Sequence, residues 1–131
     1  MRKIVLLPLL LMLFSNIQAL SQGPAKTGVL NTDSLRKVAA EIKKANQEKA
    51  AKTKYQFFIL KADSATYGYG IYADGQLYIW QTNIPGMPGA KGFATQALAT
   101  KCAELIIQKI KEGEMPPSLT KEELKKNHLI N

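Results

Sequence analysis

The chain has 131 residues, enough for one domain, with 18 basic and 10 acidic residues, one cysteine and one histidine. A lone cysteine excludes an intramolecular disulfide, and one cysteine with one histidine excludes the usual zinc ligand sets. The net charge of +8 reads either as solubility or as attraction to an anionic envelope surface. The aromatic residues lie away from the lysine run, so nucleic acid is not an expected partner.

Arg2 and Lys3 precede an apolar run over residues 4–14, and Ala19-Leu20-Ser21 follows as a small-x-small site. That order is a secretory signal peptide over residues 1–21, too short for an ordinary membrane span. The expectation is an exported protein, periplasmic or extracellular, with no transmembrane anchor after cleavage. Residues 22–32 read as a flexible leader.

A Lys-rich helix is predicted over 33–53, with Asn31, Thr32 and Asp33 offering caps and Leu35, Val38, Ala39, Ile42 and Ala45 at helical spacing. Residues 55–131 read as a compact domain. Its first element is a strand over 55–62, rich in β-formers. Asp74-Gly75 then lies between two β-rich runs and marks a two-residue hairpin turn, because both turn positions require positive φ. Counting outward pairs Ala73 with Gln76, Ile71 with Tyr78, Tyr69 with Trp80 and Tyr67 with Thr82. One face then carries Tyr67, Tyr69, Ile71, Tyr78 and Trp80. The other carries Gly68, Gly70, Tyr72, Leu77, Ile79 and Gln81, where absent side chains admit another backbone.

A long helix is predicted from about 96 to 112, capped by Thr95 and ended by Gly113. Its stripe of Leu98, Cys102, Leu105, Ile106 and Ile110 is expected to cover the glycine side of the hairpin. Pro116-Pro117 is a stiff connector. Thr120-Lys121-Glu122-Glu123 is a capping box with Leu119 and Leu124 at staple spacing, opening a short helix near 121–127. The fold class is α+β: a strand and a β-hairpin form a small antiparallel sheet, packed with one long C-terminal helix, a short final helix and the N-terminal Lys-rich helix.

Several segments resemble one family. Gly68-Tyr69-Gly70-Ile71 resembles its G-Y-x-I signature, and residues 78–85 (YIWQTNIP) resemble its Y-I-x-Q-x-x-I-P segment. Gly92-Phe93, Lys109-Ile110, Gly113, Pro116-Pro117, Thr120 and Glu123-Leu124 follow in the family's order. The chain is thereby similar to the domain of unknown function 4907 family, a group of small exported bacterial proteins. The resemblance runs from Tyr67 to the C-terminus and implies a fold and a compartment but no activity.

No catalytic constellation stands out. His128 lies near the chain end and reads as an exposed tail residue, and Cys102 as a small buried hydrophobe. The acid pairs Glu112/Glu114 and Glu122/Glu123 fall at helix ends. No catalytic residue, metal ligand or cofactor is therefore assigned. The candidate binding residues are Tyr67, Tyr69, Tyr78 and Trp80 on the aromatic face, with Asn83 and Lys91 in the Gly/Pro-rich loop over 83–92. The face serves as core or as a platform for a sugar ring or peptide, and the loop as a shaped crossover or a binding loop. The leading functional reading is a small non-enzymatic envelope module that binds a protein, peptide or glycan. The alternatives are a small envelope hydrolase and a purely structural envelope component.

Overall fold

The computed structural model describes residues 31–131; the predicted signal peptide and most of the leader lie outside the described residues. Helix α1 spans Thr32–Lys52 and starts where the Asn31 side chain accepts the Asp33 N–H. Strands β1 (Tyr55–Ala62), β2 (Thr66–Ala73) and β3 (Gln76–Gln81) follow. Helix α2 covers Gln96–Lys111 and the short α3 covers Lys121–Lys126. The strands form one antiparallel sheet in the order β1-β2-β3. The architecture is α+β.

The β2–β3 turn is the two-residue type that Asp-Gly favours. Asp74 and Gly75 both adopt positive φ, +50° and +81°. Asp74 also stitches the turn to the start of β1. Its Oδ1 accepts the Lys54 N–H at 2.8 Å, and its own N–H donates to the Lys54 carbonyl at 2.9 Å.

Beyond the turn the register departs from the simple count. Ala73 pairs with Gln76 and Tyr72 with Leu77, but Ile71 then pairs with Ile79, Gly70 with Trp80 and Tyr69 with Gln81. Tyr78 is the extra residue of a β-bulge. Side chains alternate with period two, so one inserted residue moves everything beyond it to the other face. The expected pairs Ile71–Tyr78 and Tyr69–Trp80 therefore do not form.

The packing changes with the register. Helix α2 lies on the face of Tyr69 and Ile71, opposite the glycine side on which it was expected. Tyr69, Ile71, Phe93, Ala99, Cys102, Ala103, Ile106 and Ile110 are buried together, with Phe57, Ile59 and Ile79 packed around them. The space above Gly70 is taken instead by the ring of Phe58, which a Cβ at position 70 would strike. A Cβ at Gly68 would meet the Gln81 carbonyl. These glycines make room for a neighbouring strand's atoms, not for a helix.

Helix α2 begins at Thr95, whose hydroxyl accepts the Leu98 N–H at 3.2 Å, and stops at Gly113, where φ is +84°. Two amides of α1 satisfy carbonyls at that stop: Asn46 donates to Gly113 O at 3.2 Å and Gln47 to Glu112 O at 3.0 Å. At α3, Thr120 and Glu123 form the complete capping box. Leu119, Leu124 and Leu129 bury the C-terminal segment into the core.

Lys109 ties this segment down. Its Nζ lies 3.0 Å from Glu114 Oε2 and 2.7 Å from Glu123 Oε1, joining α2, the connector and α3. Burial works against its ammonium, but the bonds to Glu123 and Glu114 outweigh it and raise its pKa. The Lys109 bond is the main cause that lowers the pKa of both Glu114 and Glu123. Depressed carboxylates contribute stability above their ordinary pKa and lose it as pH falls through the folded values. Lys109 contributes below the ordinary lysine value and is lost as pH rises through its raised one. Thermal midpoints measured against pH should fall on the acid side below about pH 4.5, and Lys109→Met should flatten that limb.

Candidate functional site

The sheet has one covered face and one open face. Positions of β1, β2 and β3 that point away from the helices are Gln56, Phe58, Leu60 and Ala62; Thr66, Gly68, Gly70 and Tyr72; and Leu77 and Trp80. None carries a charge. The usual antiparallel sheet with one solvated face alternates apolar-in with polar-out. Here the solvated face is as apolar as the core face.

The open face is an ordered aromatic platform. Phe58 sits over Gly70 with its ring centroid 5.2 Å from Tyr72 and 5.8 Å from Trp80, tilted by 35° and 55°. Such centroid distances and tilts are favourable for aromatic pairs. Trp80 is 59% exposed, Leu77 54% and Tyr72 36%. Burying them in their own domain would require a further layer on this side of the sheet, which the described residues do not supply.

The structure separates the aromatic residues that the sequence grouped. Tyr69 is buried at 1% exposure, its hydroxyl beside the Cys102 thiol. Burial, and then Cys102, push its pKa above the ordinary tyrosine value. Tyr67 is half-buried, and its backbone bridges to Phe93. Tyr78 points to the helix side from the bulge, where its hydroxyl donates to Met115 Sδ at 3.4 Å. Burial and the neighbouring Tyr55 raise its pKa. Only Trp80 of the predicted set lies on the open face. Phe58, Tyr72 and Leu77 belong beside it and were not singled out.

Asn83 and Lys91 belong to the crossover loop. Gln81 Nε2 donates to the Asn83 side chain at 2.8 Å, and Asn83 Nδ2 donates to the Gly89 carbonyl at 3.3 Å. The Ile84 N–H donates to the Lys91 carbonyl, and Tyr67 and Phe93 exchange two bonds of 2.8 Å. The loop is thus bonded to itself and to β2, while the Lys91 residue is exposed. Lys91 lines one cleft with Asp63, Ser64 and Ala90, and another with Ile84, Phe93 and Leu98.

Among the described residues no cluster of His, Cys, Asp and Glu could hold a metal ion. Cys102 is fully buried and its thiol pKa is pushed up to about 12 by burial. A thiol reacts as thiolate. Cys102 should therefore resist a thiol reagent in the native protein and react at the rate of unfolding, which a denaturant series of modification rates checks.

The fold defines a small α+β module with helices on one side of a three-stranded sheet and an uncharged aromatic surface on the other. A family model described as domain of unknown function (DUF4907) matches residues 60–126, and the chain belongs to that family. The match takes in β2, β3, the crossover loop, α2 and α3. No curated protein matches the chain, and no solved structure matches it. Among the described residues no helix is long and apolar enough to cross a membrane.

Proposed function

We propose that the protein is an exported, non-catalytic binding module whose open sheet face docks an apolar peptide segment of a protein partner. The observation that carries this reading is the absence of charge at every outward position of the sheet, combined with the exposure of Trp80, Leu77 and Tyr72. The largest contiguous apolar patch on a small protein is often its functional surface.

A peptide fits better than a glycan. Sugar recognition combines ring stacking with hydrogen bonds to several hydroxyls, and the open face offers only Gln56, the Tyr72 hydroxyl and the Trp80 indole N–H for that purpose. The size of the patch points the same way. A fully buried aromatic side chain covers roughly 150–250 Å², so the exposed parts of these residues amount to a few hundred square ångströms. That is below the roughly 800 Å² per partner of a standard protein interface and suits a short segment.

Selection of displayed random peptides on the purified protein tests the proposal. The enriched peptides should be rich in large apolar residues, and they should lose binding to the Trp80→Ser variant. Enriched peptides that bind wild type and Trp80→Ser equally would contradict it.

A further inference from the structure

We propose that β1 is a dimerisation edge, pairing antiparallel with β1 of a second copy across a two-fold axis near Phe57. The first support is the direction of the backbone groups. The N–H and C=O of Tyr67 both bond Phe93, away from β1. The pair Lys61–Tyr67 is therefore of the non-hydrogen-bonded kind. Alternation along an antiparallel ladder then turns the N–H and C=O of Tyr55, Phe57, Ile59 and Lys61 outward. The bond from Asp74 N–H to Lys54 O fixes the same parity at the other end of the strand. None of these outward groups has a hydrogen-bond partner among the described residues.

The second support is that this edge lacks the usual protection. Natural edge strands are blunted by bulges, prolines or charges. The opposite edge, β3, carries the bulge at Tyr78. β1 pairs with β2 residue by residue without interruption, contains no proline, and has Lys61 near one end as its sole charge.

The third support lies above the strand. Helix α2 packs over both β1 and β2, so its axis runs between them. Joining two β1 edges at the normal strand spacing sets the two α2 helices about two spacings apart, roughly 10 Å. That is the separation at which helices pack. The flank of α2 that would meet its copy lines an open groove with Tyr55 and Phe57, and presents Glu104, Ile107 and Lys111. In an antiparallel arrangement centred on Phe57 and Ile107, Ile107 meets Ile107 of the second copy. Glu104 then faces its Lys111, and Lys111 its Glu104. Along the strands Tyr55 pairs with Ile59 of the second copy, and the two Lys61 side chains stay apart. The surface is thus self-complementary in shape, hydrogen bonding and charge, as a two-fold interface must be.

Sedimentation of the purified protein from about 1 µM to about 1 mM tests the inference. The expected result is a reversible monomer–dimer equilibrium. Lys111→Glu alone and Glu104→Lys alone should each weaken it by about tenfold through like-charge contacts, and the double exchange should restore it. Both positions are exposed, so the monomer fold is not at stake. Ile59→Pro, which removes one outward N–H and no bond to β2, should also weaken the dimer. A monomer over the whole range would overturn the proposal. So would a dimer that ignores both charge changes, or one that the double exchange fails to restore. The test is separate from that of the peptide-binding face: Trp80→Ser should leave this dimer unchanged, and a dimer abolished by Trp80→Ser would place the interface elsewhere.

Discussion

Gly92→Ala is expected to destabilise the protein by about 3 kcal/mol. Gly92 is buried where the crossover loop meets the sheet. A Cβ there would lie 2.6 Å from Tyr67 O and 2.8 Å from both Thr66 Oγ1 and Thr82 O. Two of those atoms are backbone carbonyls and cannot swing aside. The Gly92 N–H also donates to Thr66 Oγ1 at 3.2 Å, so a shift that relieves the clash loses that bond. The next residue, Phe93, supplies the bridge to Tyr67 and a core ring at 1% exposure. The thermal midpoint should fall by more than roughly 10 °C for a domain of this size. Gly89→Ala is the control. Gly89 has φ of +93° and open space around its Cβ position, so it meets only the conformational cost of about 1 kcal/mol. Equal midpoints for the two variants would show that the loop does not approach the sheet as described.

Trp80→Ala is expected to separate binding from folding. Tryptophan is the residue most often found to dominate an interface, and its truncation there costs about 2 kcal/mol or more, a thirtyfold or larger loss of affinity. At 59% exposure Trp80 contributes little to its own domain, so the midpoint should move by only about 1 kcal/mol equivalent or less. Phe58→Ala should behave differently. Phe58 covers Gly70 and touches both Tyr72 and Trp80, so its loss should weaken binding and stability together. Isothermal titration with a selected peptide and thermal melts of the same variants provide both readings.

Local chemistry carried much of this fold in the sequence, and the limits of that reading are physical. Asp74-Gly75, Thr95 and the Thr120–Glu123 box are stereochemical signals, each requiring a particular backbone conformation or cap within a few residues. The bulge at Tyr78 has no such signal. It allows Tyr78 and Ile79 both to reach the helix side, where Tyr78 meets Met115 from a distant part of the chain. One residue of slip then exchanged the faces of Trp80 and Ile79 and sent α2 to the wrong side in the sequence reading. Strand β1 hid its part of the site for another reason. Residues 57–60 (FFIL) are apolar at both parities, so no alternation shows which face Phe58 takes. In α2 the buried side is turned towards Ala99 and Ala103, while Leu98 and Leu105 are half-buried. Small residues bring the helix close to the sheet where Tyr69 fills the space, a demand set by a side chain on another element.

The emission of Trp80 on binding a selected peptide distinguishes docking on the open face from docking elsewhere, because Trp80 is the only tryptophan in the chain. Its spectrum reports the open face and nothing else. In the free protein the emission should be that of a solvent-exposed indole, readily quenched by acrylamide. Peptide binding should shift it to shorter wavelength and protect it from the quencher, with the same dissociation constant that titration calorimetry gives. A peptide that binds with unchanged Trp80 emission and unchanged quenching would contradict the account, because the partner would then occupy some other surface.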